Sequence, residues 1–229
     1  MEISNRLKSL AEEVDYKSIV VDVGTDHAYL PIYLYKKNKI TKAIAVDINE
    51  GPLQKANENI SKYNLQNFIE TRLSDGLKEI ESGEIDTVII AGMGGMLISK
   101  ILKDKLNLLD KCKKLILQPQ LDSDEVRKTL HYLNFKIIKE KMIKEEGKYY
   151  NIIVGVKGNE IYSKKADYKY GKKLIDCKDT VLKEYLYIQI GKTMEIIQHL
   201  KQKNSENATR TLTQKNALLK IMEEVYSCL

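Results

Sequence analysis

Five short strand-like segments, most of them apolar and each followed by a helical pattern, constrain the fold of this 229-residue chain most strongly. They are rich in valine and isoleucine and recur about every 20–30 residues. The segments are Ser18–Val23, Ala43–Asp47, Phe68–Leu73, Thr87–Ala91 and Lys114–Leu117. Strands that are apolar on both faces and alternate with helices indicate a parallel, doubly wound α/β sheet.

The pattern changes after the fifth segment. Two strand-like runs, Phe135–Lys144 and Lys148–Lys157, are joined by a short link that contains Gly147, which predicts a β-hairpin. A parallel sheet finished by an antiparallel pair resembles the class I (Rossmann-like) S-adenosylmethionine-dependent methyltransferases, whose last strand inserts antiparallel. A dinucleotide-binding dehydrogenase would instead be expected to add a sixth parallel strand.

Helical spacing predicts the remaining elements. Residues 4–14 form an amphipathic pattern that suits a helix covering one edge of the domain. A short helix is predicted near Leu77–Glu81. From Ser163 onward, apolar residues at roughly heptad spacing predict a coiled-coil-like helical hairpin, interrupted at Asn204–Asn207. We therefore expect two domains, an α/β domain over residues 1–160 and a small all-α domain over 161–229.

Composition limits the classes of protein that fit. The net charge is +6, and residues 160–229 carry 13 basic against 9 acidic side chains, which permits contact with a polyanion. The three cysteines, Cys112, Cys177 and Cys228, show no CxxC spacing, so neither a disulfide framework nor a zinc site is expected. No apolar run approaches the roughly 20 residues of a membrane helix, and the polar N-terminus does not read as a signal peptide. We expect a cytoplasmic protein without a metal.

The loop after the first strand indicates the kind of ligand. Parallel strands present their carboxyl ends at one edge of the sheet, where ligands bind. Here the first strand ends in Asp22, Gly24 and Asp26. A phosphate site would use backbone N–H groups and often a lysine or arginine, and two carboxylates would repel a pyrophosphate. A cation without phosphate, such as S-adenosylmethionine, suits this loop better.

Other strand ends add candidate ligand contacts. Asp47 is placed to accept hydrogen bonds from ribose hydroxyls, and Asp75 from an adenine amino group. The stretch Gly92–Gly95 permits close approach of a ligand to the backbone. Each also has a simpler explanation, because Asp47 could cap a helix, Asp75 could sit in a turn, and the glycines could form a plain loop. Most lone histidines are structural, and His131 and His199 are expected to be so.

Five motifs together carry a closer resemblance. They are DVGTDHAYLP (Asp22–Pro31), AVDINEGPL (Ala45–Leu53), SDGL (Ser74–Leu77), IIAGMGG (Ile89–Gly95) and LILQPQ (Leu115–Gln120). In this order and spacing they resemble the bacterial TrmK family, the tRNA (adenine(22)-N1)-methyltransferases. The resemblance is close over residues 1–157, and the helical extension matches in character. One departure is Gln120, where the family commonly has asparagine.

The resemblance implies a reaction and a set of site residues. A methyl group would pass from S-adenosylmethionine to N1 of adenine 22 in tRNA. The oligomeric state stays open, and a monomer is favoured. The implied catalytic residues are Asp26, His27 and Tyr29. The implied cofactor-binding residues are Asp22, Gly24, Thr25, Asp47, Ile48, Asn49, Ser74, Asp75, Gly76, Ala91, Gly92, Met93, Gly94 and Gly95. The implied tRNA contacts are Gln118, Pro119, Gln120, Lys164, Lys165, Lys172 and Lys173.

Two questions stay open at this point. Asp26 would either accept a hydrogen bond from the exocyclic amine of adenine and steady the charge growing on the ring, or act as a general base. The acceptor could also be another RNA, an amine or a protein, although the segment Gln118-Pro119-Gln120 lacks the second proline and the aromatic residue of amino-methylating relatives. A non-catalytic RNA-binding protein on the same fold is the third alternative.

Overall fold

A seven-stranded sheet forms the centre of the structure, a computed structural model that describes residues 1–202 and 205–229. The strands are β1 (Ser18–Val23), β2 (Ile40–Asp47), β3 (Ile69–Leu73), β4 (Thr87–Met93), β5 (Lys114–Pro119), β6 (Phe135–Glu145) and β7 (Lys148–Lys157). Their order in the sheet is β3-β2-β1-β4-β5-β7-β6. Strands β1 to β5 pair in parallel, whereas β7 is antiparallel to both β5 and β6. The predicted methyltransferase-type sheet is confirmed.

Alternation along the central strands divides the core into two layers. On β4, Val88 and Ile90 pack into one hydrophobic cluster while Ile89 packs into the other. Successive side chains of a strand point to opposite faces, so a strand buried on both sides must be apolar throughout. All three side chains are fully buried.

Six helices cover the two faces of this sheet. They are α1 (Asn5–Glu12), α2 (Tyr29–Lys36), α3 (Glu50–Lys62), α4 (Gly95–Lys103), α5 (Leu106–Leu109) and α6 (Ser123–Tyr132). Residues of α1, α2 and α3 belong to one core cluster, and residues of α4, α5 and α6 belong to the other. The first helix begins where predicted, because the Ser4 hydroxyl accepts a hydrogen bond of 3.2 Å from the Leu7 N–H.

The short helix predicted near Leu77–Glu81 is wrong, because this segment forms turns. Ser74 Oγ donates to the Gly76 carbonyl at 2.9 Å and accepts from the Glu79 N–H at 3.2 Å. Gly76 adopts a φ of 63°. The serine side chain therefore satisfies backbone groups that a helix would have used, and the left-handed Gly76 keeps a helix from starting before Leu77.

Three helices follow the hairpin. They are α7 (Lys172–Asp176), α8 (Thr180–Lys201) and α9 (Glu206–Cys228), and a π-helical turn over Asp167–Gly171 precedes them. The predicted helical hairpin corresponds to α8 and α9, which pack against each other. Ser205 caps α9 by accepting from the Ala208 N–H. The start of the predicted interruption, Asn204, lies outside the described residues.

The helical region has a small core of its own that includes the β-hairpin. Met142 of β6 is buried with Leu174 of α7, Leu186 of α8 and Met222 of α9. Tyr149 of β7 packs against the same cluster. The helical region is thus joined to the sheet by apolar contacts as well as by the chain.

A buried ion pair reinforces this junction. Arg127 of α6 donates from Nε to Glu140 Oε1 of β6 at 2.6 Å, and the two side chains are 0% and 1% exposed. Arg127 Nη1 also donates to the Tyr168 carbonyl at 2.7 Å, and the Lys173 N–H donates to Glu140 Oε2 at 3.1 Å. The pair therefore holds both the π-helical turn and the start of α7 against the sheet.

Two further features bear on the class of protein. Over residues 1–202 and 205–229, no helix combines the length and the apolar composition needed to cross a bilayer. The same residues contain no group of three or more His, Cys, Asp or Glu side chains that could hold a metal ion.

Candidate functional site

The loop after β1 is fastened to the neighbouring strand. The N–H groups of Gly24 and Thr25 both donate to the Val46 carbonyl, at 2.8 and 2.9 Å. At the next strand end, the Ser74 N–H donates to the Asp47 carbonyl at 2.9 Å. The carboxyl ends of β1, β2 and β3 are therefore tied together by backbone bonds, so this edge of the sheet forms a rigid base for the loops.

The backbone of the loop after β1 is unusual. Gly24, His27 and Ala28 have φ values of 71°, 55° and 57°, and two of the three are not glycine. Such conformations cost free energy and persist where the surroundings impose them. Here the Asn59 amide donates to the His27 carbonyl at 3.0 Å and holds the loop from α3. The strained turn fixes the direction of the side chains that follow Gly24.

The three predicted catalytic residues lie together on this turn. His27 Nδ1 is 3.4 Å from the Tyr29 hydroxyl, and His27 Nε2 is 3.8 Å from Asp26 Oδ1. The Asp26 side chain is 73% exposed and that of His27 is 31% exposed. Asp26 therefore points to the open side of the site, where a substrate would enter.

Asp22 lies beneath this turn and is buried. Its carboxylate accepts a hydrogen bond of 2.7 Å from the Thr25 hydroxyl. Burial raises the pKa of Asp22 to about 6, and the charge of Asp26 adds to the rise, whereas the Thr25 hydrogen bond and the charge of Arg6 oppose it. A carboxylate in this position favours a cationic ligand, because such a ligand would replace the lost hydration of the charge.

The predicted ribose contacts lie at the end of β2. Asp47 Oδ1 accepts from the Asn49 N–H at 2.8 Å, and Ile48 is exposed. Asn49 stands at the position that caps α3, but its side chain makes no capping hydrogen bond. Neither the Asp47 nor the Asn49 side chain caps α3, so helix capping does not explain the carboxylate of Asp47.

The structure places Asp75 differently from the expected adenine contact. Its carboxylate forms an ion pair of 2.6 Å with Lys78, which holds the pKa of Asp75 below its usual value. Asp75 lines a cavity of about 20 Å³ together with Lys100 and Asp104. This cavity shares no residue with the one that contains Asp22. Contact with an adenine would require the Asp75 side chain to leave Lys78.

The glycine-rich stretch after β4 serves two purposes. Among the atoms of residues 1–202 and 205–229, a Cβ atom on Gly94 would meet none within 4 Å and one on Gly92 none closer than 3.8 Å, so space for a ligand lies against the backbone here. Gly95 is different, because a Cβ atom there would overlap the Asp122 carbonyl. A Cβ atom on Gly24 would likewise overlap the Met93 methyl group. Gly94 thus faces open space and Gly92 makes only ordinary contacts, whereas Gly95 is required for packing.

Arg6 is a site residue that the sequence did not reveal. It lies on α1, and its Nη1 donates to Gln118 Oε1 at 3.0 Å, with the guanidinium 5.6 Å from the centre of the Tyr150 ring. Glu145 anchors the start of α1 by accepting from the Asn5 N–H at 2.7 Å. The amphipathic pattern predicted only an edge-covering helix, and nothing local marks Arg6 as functional.

Gln118, Pro119 and Gln120 connect the two sides of the site. Gln118 is fully buried, and its amide donates to the Pro119 carbonyl at 3.2 Å. The Gln120 N–H donates to the Met93 carbonyl at 2.8 Å, and its side chain is exposed beside Gly92. Of the three, only Gln120 presents its side chain to a substrate.

A small cavity joins these elements. It has a volume of about 40 Å³ and is lined by Arg6, Leu7, Asp22, Gly24, Asp26, Leu30 and Ala91. Two carboxylates and one guanidinium thus meet around a glycine turn. This combination matches a ligand that carries both positive charge and a carboxylate.

The four lysines predicted to contact tRNA fall into two classes. Lys164 and Lys165 are exposed on the segment that follows β7. Lys172 pairs with Asp176 at 2.9 Å, and Lys173 pairs with Glu160 at 3.3 Å. The charges of Lys172 and Lys173 are partly neutralised within the protein, so these two lysines are weaker candidates for binding phosphate than Lys164 and Lys165.

Comparison with known proteins agrees with this arrangement. The family model described as tRNA (adenine(22)-N(1))-methyltransferase matches residues 20–221. The tRNA (adenine(22)-N(1))-methyltransferase of Bacillus subtilis (strain 168) is 37% identical over 159 residues, which cover 69% of this chain and 67% of the relative.

Solved structures extend the similarity to the whole chain. A Streptococcus pneumoniae protein in complex with S-adenosyl-L-methionine is 33% identical, with a TM-score of 0.88 and coverage of 98% of this chain and 100% of the other. The TrmK protein of M. capricolum in complex with S-adenosyl-homocysteine is 30% identical, with a TM-score of 0.88 and coverage of 100% and 99%. The chain belongs to the TrmK family of tRNA (adenine(22)-N1)-methyltransferases.

Proposed function

We propose that this chain transfers a methyl group from S-adenosylmethionine to N1 of adenine 22 in tRNA. The observation that carries the proposal is the meeting of Asp22, Asp26 and Arg6 around the Gly24 turn, in a protein of this family. We also propose a monomeric cytoplasmic enzyme without a metal, with its catalytic domain over residues 1–160 and RNA contacts over 161–229.

The residues present suit the cofactor in charge. Asp22 and Asp26 would face its positive charges, and Arg6 would face its carboxylate. Asp47 and Asn49 would lie at the ribose, and the backbone of Gly92 and Gly94 leaves room beside the ligand. When bound, S-adenosylmethionine supplies an electrophilic methyl group on a sulfonium, which the N1 lone pair attacks in line.

The contribution of the protein would be alignment and electrostatics. Asp26 would accept a hydrogen bond from the exocyclic amine of adenine, and its charge would stabilise the positive charge that develops on the ring. His27 and Tyr29 lie within contact of each other beside it, and would hold the edge of the base. No covalent intermediate is needed, so positioning of N1 accounts for most of the expected rate.

Methylation of unmodified tRNA tests the proposal directly. The protein is incubated with tritiated S-adenosylmethionine and an unmodified tRNA pool, and the RNA is digested to nucleosides. We expect label in N1-methyladenosine. Label in another nucleoside, or in no nucleoside while the cofactor still binds, would refute the proposed acceptor.

The raised pKa of Asp22 predicts how cofactor affinity depends on pH. The cation needs the charged carboxylate, so the dissociation constant should rise about tenfold between pH 7 and pH 5, as Asp22 takes up a proton with a pKa of about 6. Calorimetry at these pH values measures it. The Asp22→Asn variant should bind more weakly and lose this pH dependence, whereas a wild-type constant unchanged down to pH 5 would contradict the role of Asp22.

In the protein without ligand, protonation of Asp22 has the opposite effect, because it stabilises the fold. The folded-state pKa of Asp22 is higher than the value of 3.8 expected for an exposed aspartate. The stabilisation from its protonated form is therefore fully present below pH about 4 and is lost as the pH rises through about 6.

Arg6 gives a second prediction about cofactor binding. The Arg6→Ala variant should weaken S-adenosylmethionine binding about tenfold or more, because a hydrogen bond to a charged group is lost. It should not weaken 5′-methylthioadenosine, which lacks the amino-acid part and its carboxylate. Lys8→Ala, on the same helix, is the control. Equal losses for both ligands would show that Arg6 acts only through the fold.

A further inference from the structure

A second, larger cleft lies between the sheet and the helical region. Its volume is about 450 Å³, and it runs from the loop after β5 past β7 to α8 and α9. The residues that matter for its chemistry include Gln120, Tyr149, Asn151, Tyr185, Lys192 and Lys215. None of the residues assigned above to the cofactor lines it.

Basic side chains distinguish this cleft. Lys169, Lys192 and Lys215 line it, and none of them forms an ion pair with any residue in the described part of the chain. The cleft also contains two acids, Asp122 and Asp124. Asp124 is already paired with Lys128 at 3.1 Å. The lysines of the cleft therefore remain available to an anionic ligand, unlike Lys172 and Lys173.

The wall of the cleft also offers groups that suit a nucleotide base. The Asn151 amide donates to Ser123 Oγ at 3.2 Å, while its carbonyl oxygen is buried and has no hydrogen-bond partner among the described residues. The rings of Tyr149 and Tyr185 meet edge to face, with centroids 5.2 Å apart. An unpartnered acceptor can receive a base N–H, and tyrosine rings can support stacking.

Gln120 connects the cleft to the glycine-rich loop of the candidate site. Gln120 lines the cleft, and its Nε2 would lie 3.8 Å from a Cβ atom on Gly92 of the glycine-rich loop. A chain that leaves the catalytic site past Gln120 would therefore enter the cleft directly. This geometry favours a substrate that continues beyond the reacting base, as RNA does.

We propose that this cleft binds a nucleotide adjacent to the target adenosine in the same tRNA. Its phosphates would lie at Lys169, Lys192 and Lys215, and its base would lie between Asn151 and the tyrosine pair. The proposal rests on the proposed function, since it takes the substrate to be tRNA. An extruded adenosine must displace its neighbours from the stack, and the cleft would hold one of them.

Charge removal on two helices tests the proposal. In the Lys192→Ala/Lys215→Ala variant, the dissociation constant for unmodified tRNA should rise about tenfold, and the slope of log K against log salt should become shallower by about 1.5–2. The matched control is Lys183→Ala/Lys220→Ala, which removes two lysines of the same helices outside the cleft. Fluorescence anisotropy with labelled tRNA measures binding, and calorimetry checks that S-adenosylmethionine affinity is unchanged in both.

A crosslinking experiment locates the nucleotide. tRNA with 4-thiouridine beside adenine 22 should crosslink to peptides that contain Tyr149 or Tyr185. Equal tRNA affinity in the two lysine variants, or crosslinks confined to other peptides, would overturn the proposal. If the wild type binds tRNA but forms no N1-methyladenosine, the proposed function fails; if it methylates tRNA while the cleft variant matches its control, only the cleft assignment fails.

Discussion

Replacing Asp26 with alanine is expected to lower kcat for tRNA methylation by about 10²- to 10³-fold, the usual cost of removing one group that stabilises transition-state charge. Asp26 is the exposed carboxylate at the mouth of the site, beside His27 and close to the buried Asp22. Its loss would remove the proposed acceptor for the adenine amine without disturbing the core. Single-turnover methyl transfer with saturating tRNA measures the effect.

Two companion variants decide between the roles of Asp26. Asp26→Asn retains a hydrogen-bond acceptor but not the charge, so it should recover part of the rate if orientation matters and none if a base is required. Asp110→Ala removes an exposed carboxylate whose one ion pair within residues 1–202 and 205–229 is with Lys157, at 3.7 Å, and should leave kcat unchanged. A fully active Asp26→Ala enzyme with unaltered cofactor affinity would exclude both roles.

Breaking the buried ion pair between Arg127 and Glu140 should produce the largest loss of stability. Arg127→Met leaves the Glu140 carboxylate buried without its partner, which costs roughly 3–5 kcal/mol in the free energy of unfolding. For a chain of this size, Tm should fall by roughly 10 °C. Calorimetric unfolding measures the change. A Cβ atom on Gly171 would press on the Glu140 carboxylate, so the π-helical turn that Gly171 ends packs closely against this ion pair.

A double replacement separates the contribution of the ion pair from the cost of burying one unpaired charge. Because much of the cost arises from the uncompensated charge, Arg127→Met/Glu140→Met should be more stable than either single variant. Lys128→Ala, which removes two exposed ion pairs on the same helix, should change stability by no more than about 0.5 kcal/mol. If Arg127→Met were as stable as Lys128→Ala, the ion pair would not be what holds the helical region to the sheet.

The sheet was the most predictable part of the fold. Strands β1, β2, β4 and β5 are short, mostly apolar runs whose composition reflects burial on both faces. Strand β3, at the edge of the sheet, has the mixed sequence IETRL and is only partly buried. Gly147 marks the hairpin. The helix predicted near Leu77–Glu81 failed because the Ser74 side chain competes for backbone groups, an effect that periodicity does not record. The catalytic turn was recognised as a motif, but its left-handed His27 and Ala28 were not.

The site was less predictable where it depends on contacts between distant segments. Arg6 reaches Gln118 across 112 residues, and no local pattern indicates such a contact. Lys172 and Lys173 were selected for their charge. Asp176, which pairs with Lys172, lies one turn further along α7, whereas Glu160, which pairs with Lys173, becomes its visible partner only once α7 packs beside it. Lys192 and Lys215 lie on different helices, and only the folding of the hairpin brings them into one cleft.

Mapping the methyl group on the tRNA tests the central claim most directly. Primer extension on tRNA treated with the protein and S-adenosylmethionine reports N1 methylation, because a methyl group on the Watson–Crick edge stops reverse transcription. We expect a stop next to adenine 22 that requires the cofactor and is absent with the Asp26→Ala variant. A stop at another position, or none with a protein that still binds S-adenosylmethionine, would contradict the account.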